Sequence, residues 1–149
     1  EYIHNIATEL FLPYADGRSL EIIIDEAVNE IFIDKSLMRH AITNLVGNAF
    51  KYSPGRQAPE LSIFEQDGQL VVQVKDHGIG IPQAEMDNLF TSFYRASNVG
   101  NISGTGIGLM VVEHVAKTHN GVVEVQSKQT EGTVFTMRLP LKYNKRETK

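Results

Sequence analysis

The spacing of apolar residues changes several times along this chain, and each change marks the boundary of a predicted element. Residues 1–15 predict a first helix, because their apolar side chains recur at helical intervals: Ile3, Ile6, Ala7, Leu10 and Phe11. Two short runs rich in β-branched residues, at 19–25 and 29–34, predict a pair of strands. Asp34 is placed to cap a second helix that continues to about Tyr52. It ends at Ser53 because a residue before proline avoids the α region.

Alternating patterns dominate the remainder of the chain. Residues 60–76, ELSIFEQDGQLVVQVKD, predict a hairpin that turns at Asp67-Gly68, and residues 121–141 predict a second hairpin. Between them lie a short helix near 83–93 and a longer helix that ends at about His119. Because hairpins recur rather than strand–helix–strand units, the pattern predicts an α+β fold in which helices cover one face of a largely antiparallel sheet.

Composition indicates the class of protein. The 149 residues are enough for one domain with a sizeable core, and 42% hydrophobic with 21% charged residues is usual for a globular protein. A net charge of −4 with interspersed signs provides no basic surface for nucleic acid, although a basic tail starts at about residue 142. Without cysteines there are no disulfides, and no apolar run is long enough to span a membrane. Since the chain starts at Glu1 rather than Met, we expect a single cytoplasmic domain of a longer protein whose parent is free to be membrane-anchored.

Three glycines precede the last predicted helix, in the stretch SGTGIGL at 103–109. Glycines at a helix start expose backbone N–H groups, which suits a phosphate ligand and equally suits a flexible helix entry. A Walker loop is excluded because no Gly-Lys-Ser/Thr follows, and a dinucleotide fingerprint is excluded because no strand precedes the glycines. Both interpretations of the glycine run remain open on this stretch alone.

Three polar side chains cluster at the edge of the apolar face of the second helix: Asn44, Asn48 and Lys51. Asparagine is a poor helix former and is costly to half-bury without partners. Amide oxygens stacked one turn apart suit a metal ion, while amide N–H groups and an ammonium suit phosphate. The alternative is a polar helix edge whose amides bond to neighbouring loops.

A carboxylate follows directly on an apolar strand in VKDHGIGIP, where Asp76 precedes Gly78 and Gly80. One interpretation is a tight turn held by the aspartate side chain. The other is a pocket that the glycines open and that Ile79 and Ile81 line, with Asp76 at its floor. A carboxylate in that position accepts a hydrogen bond from an exocyclic amine such as the N6 of adenine.

Two aromatic residues at helical spacing, Phe90 and Phe93, precede Arg95 in LFTSFYRAS. This spacing is most typical of core aromatics. The pair also stands before a polar segment at 96–103 that the glycine run closes on its other side. A polar segment anchored at both ends predicts a flexible lid.

The stretches TNLVGNAFKYSP, DHGIGIP, LFTSFYRAS and GTGIGL, in this order, resemble the four boxes of the ATP-binding catalytic domain of sensor histidine kinases. That domain belongs to the gyrase, heat-shock chaperone, histidine kinase and mismatch-repair ATPase superfamily, and GTVFTMRLP is similar to its last hairpin. The resemblance covers nearly the whole chain. It implies a two-layer, Bergerat-type α/β sandwich with a mostly antiparallel mixed sheet of about five strands, three main helices on one face and a flexible ATP lid.

The resemblance implies that the chain binds ATP and Mg²⁺. The residues that it places at the nucleotide are Asn44, Asn48, Lys51, Tyr52, Asp76, Gly78, Gly80, Ile81, Phe90, Phe93, Arg95, Gly104, Thr105, Gly106, Gly108 and Leu109. The catalytic residues implied are Asn44, Asn48 and Lys51, with Asn48 on the Mg²⁺ and Lys51 on phosphate oxygens.

Each remaining box has its own implied part in binding the nucleotide. Asp76 would accept a hydrogen bond from adenine N6, and Tyr52 would flank the nucleotide. Pocket shape would come from Gly78, Gly80 and Ile81. The lid would be seated by Phe90, Phe93 and Arg95 and closed by Gly104, Gly106 and Gly108.

Position 44 bears on the reaction. In the hydrolysing members of the superfamily a glutamate at the matching place acts as a general base on water, and an amide cannot accept that proton. Asn44 therefore favours transfer of the γ-phosphoryl group to a protein acceptor over hydrolysis of ATP.

The resemblance also implies partners. Sensor kinases carry the acceptor histidine in a separate helical hairpin, followed by an acidic residue, and none of the five histidines here has that context. We therefore expect a monomeric chain that binds Mg-ATP without phosphorylating itself. The dimerisation and histidine-phosphotransfer domain of the same polypeptide would supply the acceptor in a homodimeric parent, and a response regulator receiver domain would take the phosphoryl group. The alternatives are a serine-directed kinase of the anti-sigma-factor kind and a docking module that binds nucleotide without transfer.

Overall fold

A computed structural model describes residues 17–25, 34–84 and 108–141. Within these ranges one five-stranded sheet carries two helices. The strands are β1 (Glu21–Ile24), β2 (Glu60–Gln66), β3 (Gln69–Asp76), β4 (Val122–Lys128) and β5 (Gly132–Pro140). The helices are α1 (Lys35–Lys51) and α2 (Gly108–Thr118).

The strand order across the sheet is β1-β2-β3-β5-β4. β1 runs parallel to β2, and the other three pairs are antiparallel. The predicted α+β architecture and the mostly antiparallel mixed sheet are thereby confirmed. The parallel pair is joined through α1, since a parallel connection needs a crossover and cannot be made by a tight turn.

Several predicted elements lie outside the described residues. These are the first helix at 1–15, the strand at 29–34 except Asp34, most of the short helix at 83–93, the lid segment, the glycine run before Gly108 and the tail from 142. The sequence predicts that the strand at 29–34 forms a pair with β1, whereas the pairing that the structure describes for β1 is with β2.

Helix α1 begins and ends where the sequence predicts. The Asp34 carboxylate accepts a hydrogen bond from the Leu37 N–H at 3.0 Å, which satisfies one of the free donors of the first turn. At the other end the Tyr52 N–H donates to the Asn48 carbonyl at 3.0 Å, and the Ser53 hydroxyl donates to the Ala49 carbonyl at 2.6 Å. The helix ends at Lys51, Tyr52 is its C-cap, and Pro54 follows shortly after.

Arg18 caps the carboxyl end of α1 from the opposite side. Its guanidinium donates to the carbonyls of Phe50, Ser53 and Arg56 at 3.2, 2.7 and 3.3 Å, and its central carbon lies 5.2 Å from the Phe50 ring centroid. A cation at this position interacts favourably with the negative end of the helix dipole, and its N–H groups satisfy carbonyls that have no partner within the helix. Arg18, which precedes β1 in the chain, therefore holds the end of α1 in place.

The core lies between one face of the sheet and the two helices. α1 contributes its buried face, which consists of Met38, Ala41, Ile42, Leu45, Val46, Ala49 and Phe50. On β3 the alternate residues Leu70, Val72 and Val74 point into the same core. Asp76 is the next residue in this alternation and is also buried. The core-side row of β3 therefore ends in a carboxylate.

The first hairpin turns as its sequence predicts. Asp67 and Gly68 have φ angles of 53° and 75°, the pair of positive values that a two-residue type I′ turn requires. In the described part of the chain no helix has the length and apolar character needed to cross a membrane.

Candidate functional site

Asp76 stands at the end of β3 with 8% of its surface exposed. Its Oδ1 accepts a hydrogen bond from the Gly78 N–H at 2.8 Å. Burial raises the pKa of this carboxyl group from its ordinary 3.8 to about 6, and the N–H groups of Gly78 and Thr133 and the charge of His77 reduce the rise. At neutral pH the group is therefore ionised, enclosed and able to accept a hydrogen bond from a ligand amine.

We call residues 76–81 the Asp76 turn. Two glycines, Gly78 and Gly80, let this turn pass close to the backbones of neighbouring segments. A Cβ on Gly78 would lie 2.0 Å from the Tyr52 carbonyl oxygen, and a Cβ on Gly80 would lie 2.2 Å from the Lys128 carbonyl oxygen. Gly80 also has a φ of +71°, which L side chains rarely adopt. Both glycines are thus required by close backbone approach on opposite sides of the turn.

The Asp76 turn is tied directly to the end of α1. The Ile79 N–H donates to the Tyr52 carbonyl at 3.1 Å, the same carbonyl that leaves no room for a side chain at Gly78. Two of the predicted boxes, far apart in sequence, therefore meet through backbone contacts.

The hairpin between β4 and β5 encloses the other side of the Asp76 turn. Thr130 N–H donates to the Ile79 carbonyl at 2.7 Å, and a Cβ on Gly132 would lie 2.2 Å from the Asp76 carbonyl oxygen. The Ser127 hydroxyl accepts from the Ile81 N–H at 2.8 Å, and Thr133 is the register partner of Asp76 in the β3–β5 pair. Sequence reasoning missed Ser127 and Thr133 as contacts of the Asp76 turn, because the pairing of β3 with β5 and of β5 with β4 brings them there.

Asn44, Asn48 and Lys51, which we call the asparagine edge, are half-buried on α1 beside the buried Leu45 and Ala49. The Asn44 amide nitrogen donates to the His40 carbonyl at 2.8 Å, which leaves its amide oxygen available as an acceptor. The Lys51 ammonium lies 6.0 Å from the centroid of the Tyr52 ring. The predicted location at the border of the apolar face is confirmed, while the predicted contacts with phosphate and metal stay predictions.

The distance between the two ends of the site follows from helix geometry. At about 1.5 Å of rise per residue, Asn48 lies about 6 Å and Asn44 about 12 Å from Tyr52 along α1. Because the Tyr52 carbonyl is hydrogen-bonded to the Asp76 turn, the asparagine edge begins next to that turn and extends along α1. The turn offers a carboxylate, and the helix beside it offers an ammonium and two amides.

The remaining predicted site residues fall into two groups. Ile81 and Leu109 are half-buried and pack against the core, and Gly108 is the first residue of α2. Outside the described residues lie Phe90, Phe93, Arg95, Gly104, Thr105 and Gly106. Their parts in seating and closing a lid stay predictions.

The asparagine edge offers a cation amide oxygens as ligands, rather than histidine nitrogens or thiolates. Over 17–25, 34–84 and 108–141, no three His, Cys, Asp or Glu side chains are grouped so that they could hold a metal ion. Mg²⁺ prefers hard oxygen ligands and in nucleotide sites takes few of them from the protein, the phosphates supplying others. The amide oxygens of Asn44 and Asn48 therefore fit a magnesium ion that arrives with a nucleotide.

Comparison with known proteins assigns the family. Residues 33–143 match the family described as histidine kinase-, DNA gyrase B-, and HSP90-like ATPase. The sensor-like histidine kinase SenX3 of Mycolicibacterium smegmatis is 34% identical over 129 residues, which are 85% of this chain and 34% of that protein. The chain thus spans about a third of the length of this relative.

Solved structures show the same fold. The mycobacterial sensor histidine kinase MprB aligns with a TM-score of 0.75 and 25% identity over 93% of both chains. The histidine kinase domain of the E. coli osmosensor EnvZ aligns with a TM-score of 0.69 and 26% identity over 94% of this chain and 84% of that one. The chain therefore belongs to the histidine kinase-, DNA gyrase B- and HSP90-like ATPase family, as the ATP-binding catalytic domain of a histidine kinase.

Proposed function

We propose that this domain binds Mg-ATP and transfers its γ-phosphoryl group to a histidine on a separate dimerisation and acceptor domain, as part of two-component signalling. The observation that carries the proposal is the buried Asp76 carboxylate, fixed by Gly78 and joined through Tyr52 to the helix of Asn44 and Asn48. This arrangement supports the proposal because it joins a group suited to recognising a base to a helix whose amides are suited to phosphates and a metal ion.

At the base end, the ionised Asp76 accepts a hydrogen bond from the exocyclic amine of adenine. The carboxylate oxygen that is bonded to Gly78 N–H is held in place, so that its orientation does not depend on the ligand. A preorganised acceptor of this kind discriminates strongly, because a base without the amine leaves a buried carboxylate without that partner.

At the phosphate end, Asn48 holds the Mg²⁺, and Asn44 and Lys51 contact the phosphates. The bound magnesium ion would neutralise charge on the triphosphate oxygens. Transfer breaks the bond between the γ-phosphorus and the oxygen bridging to the β-phosphate, and forms a bond to an imidazole nitrogen, while ADP leaves with the electron pair. For such a reaction the protein contributes mainly positioning and electrostatic stabilisation.

The side chain at position 44 favours a protein acceptor. A carboxylate there would serve as a base for an attacking water molecule, whereas the Asn44 amide, already donating to His40, has no basic site for that proton. We therefore propose kinase activity with little hydrolysis of ATP.

The acceptor histidine belongs to another domain in this proposal. Among the described histidines, His119 is engaged by backbone: its Nδ1 donates to the Val115 carbonyl at 2.9 Å and its Nε2 accepts from the Asp34 N–H at 3.0 Å. His40 and His114 are exposed on the helices without the acidic residue that follows an acceptor histidine. The isolated cytoplasmic domain would be a monomer, and its parent a homodimer that passes the phosphoryl group to a response regulator receiver domain.

One transfer experiment tests the proposal. The domain is incubated with radiolabelled Mg-ATP and a helical acceptor domain, with an acceptor lacking its phosphorylatable histidine as the control. Label that is acid-labile and alkali-stable, and absent from the control, is the expected result. Acid-stable label would indicate a serine-directed kinase, and ATP binding without transfer to its own acceptor would indicate a docking module. Stable label on the isolated domain would contradict the assignment of the acceptor to another domain.

A further inference from the structure

We propose that Ser127 is a positioning residue for the recognition of the base: its hydroxyl holds the Asp76 turn against the β4–β5 hairpin and so fixes the carboxylate that selects adenine. This inference rests on the proposed function, since it concerns the selectivity of the same site. It assigns the role to a residue on β4 that would not touch the nucleotide.

The Ser127 hydroxyl makes three polar contacts, which together we call the Ser127 junction. Its oxygen lies 2.8 Å from the Ile81 nitrogen, 3.0 Å from the Gly132 carbonyl oxygen and 2.8 Å from Thr133 Oγ1. The Ile81 N–H donates to it, and its own single proton goes to Gly132 or to Thr133. One side chain thereby joins the end of the Asp76 turn to the start of β5.

Two contacts of the Ser127 junction, to Thr133 and to Ile81, connect it to Asp76; we call them its two arms. On one arm, Thr133 pairs with Asp76 in the β3–β5 register, and its backbone N–H is hydrogen-bonded to the Asp76 carboxylate. On the other arm, Ile81 ends the turn that begins at Asp76. A shift at Ser127 therefore moves the carboxylate relative to the base from two directions.

The bond to Ile81 differs from the bonds that hold Ile79 in the middle of the Asp76 turn. Ile79 is held by backbone groups on both sides, through the Tyr52 carbonyl at 3.1 Å and the Thr130 N–H at 2.7 Å. The Ile81 N–H instead donates to a side chain. Mutation of Ser127 can thus remove the bond to Ile81, together with the contacts of the hydroxyl to Gly132 and Thr133, while the backbone bonds of Ile79 remain.

The effect expected from this geometry is selective. Ser127 contacts the Asp76 turn and β5 and belongs to neither α1 nor the asparagine edge. Loss of its hydroxyl is therefore expected to weaken recognition of the amine while leaving phosphate binding intact. A purely structural serine would weaken both together or neither.

The test compares two nucleotides that differ at one group. Affinities for Mg-ATP and for Mg-purine riboside triphosphate, which lacks the N6 amine, are measured by calorimetry for the wild-type chain and Ser127→Ala. We expect the preference for ATP to fall roughly 3- to 10-fold in the variant, as for the loss of one hydrogen bond, with the affinity for purine riboside triphosphate nearly unchanged. Ser127→Thr, which keeps the hydroxyl, is expected to restore the preference.

Ser62→Ala is the matched control. Ser62 is half-buried on β2, where it pairs with Ile23 and Gln73, so the same substitution removes a hydroxyl from the same sheet away from the turn. Its preference for ATP is expected to equal that of the wild-type chain. If Ser127→Ala does not fold, Ser127→Cys provides the comparison, because a thiol keeps the shape and is a weak acceptor.

Hydrogen exchange of the Ile81 amide provides a second readout without nucleotide. Faster exchange in Ser127→Ala is expected. An unchanged nucleotide preference, or an equal loss of affinity for both nucleotides, overturns the inference. If the wild-type chain itself shows no preference for ATP, the proposed function fails instead, and the Ile81 exchange alone decides whether Ser127 holds the turn.

Discussion

The Asp76 turn and the asparagine edge meet at Tyr52 but are constructed in opposite ways. The turn is enclosed by backbone, with Gly78 against the Tyr52 carbonyl and Gly80 against the Lys128 carbonyl. The edge consists of half-buried side chains along a helix, among them Asn44, whose amide bonds only one turn back to His40. The Asp76 turn therefore has a fixed shape, whereas the asparagine edge has a fixed backbone with side chains that can still rotate.

This difference corresponds to the two kinds of ligand chemistry. A purine is flat and rigid, so that a site for it benefits from backbone contacts that do not adjust. Phosphates and a hydrated cation are recognised by charge and by oxygen ligands, which long or rotatable side chains supply. Substitutions at the turn should therefore affect stability and base selectivity, whereas substitutions at the edge should affect the magnesium dependence.

The largest effect is expected for Gly78→Ala. Its Cβ would lie 2.0 Å from the Tyr52 carbonyl oxygen and 2.9 Å from the Ser53 Cα, so the turn and the end of α1 must separate. Overpacking against the backbone of Tyr52 and Ser53 should lower the free energy of unfolding by about 3 kcal/mol. Urea denaturation measures this loss.

Gly47→Ala is the control for that prediction. Gly47 lies within α1, and a Cβ there would meet nothing within 4 Å. Alanine is the better helix former by about 1 kcal/mol, so this variant should be as stable as the wild-type chain or more so. Equal losses for the two glycines would contradict the contrast between the turn and the helix.

Asp76→Asn is expected to be next in size and to act on affinity. The amide is isosteric and keeps an oxygen for the Gly78 N–H, so the turn should fold. It removes a charged acceptor for the adenine amine, which should weaken ATP binding roughly 10- to 100-fold. Calorimetric titration with Mg-ATP measures the change, and an unchanged affinity would overturn the assignment of Asp76 to the base.

Acidification should affect stability and binding in opposite directions. Burial raises the pKa of Asp76 to about 6, above that of the unfolded chain, so the folded state holds this proton more tightly. Its contribution to stability is present below about pH 4 and is lost, by up to about 3 kcal/mol, as the pH rises through about 6. Over the same interval ATP affinity should rise, because the ionised carboxylate is the acceptor.

The pH prediction is checked by urea denaturation and calorimetry at several pH values, in the wild-type chain and in Asp76→Asn. The comparison removes the titration of the nucleotide phosphates, since it is the same for both proteins. A pH dependence that survives in Asp76→Asn would assign it to another group.

The smallest effect is expected at the asparagine edge. Asn48→Ala removes one amide at the border of the apolar face, so the stability should change by less than about 0.5 kcal/mol. Affinity for ATP with Mg²⁺ should fall roughly 5- to 10-fold, as for the loss of one ligand, while affinity without the metal stays the same. An equal loss with and without Mg²⁺ would place Asn48 away from the metal.

Local patterns predicted those parts of the molecule that local chemistry determines. Asp34 caps α1 because a carboxylate satisfies the free N–H groups of a first turn, and Asp67-Gly68 turns the hairpin because both residues tolerate positive φ. The position of Asp76 at the end of an apolar strand was likewise readable from its neighbours in sequence.

Other parts depend on pairing between distant segments. Nothing in the sequence around Ser127 points to Ile81, because their contact follows from the register of β4 and β5 on β3. The parallel pairing of β1 with β2 likewise depends on how α1 packs across the sheet. Register and packing are decided by the whole core and not by a window of residues.

The hydrogen bond from Ile79 to the Tyr52 carbonyl has a consequence for ligand size. Because it pins the last turn of α1 to the turn at Asp76, the interval from the carboxylate to Asn48 is set by the rise of one helix, about 6 Å beyond Tyr52. In the proposed binding mode, a nucleotide seated at Asp76 would reach Asn48 and Asn44 through its phosphates. The number of phosphates would then determine how many of the two amides the ligand contacts.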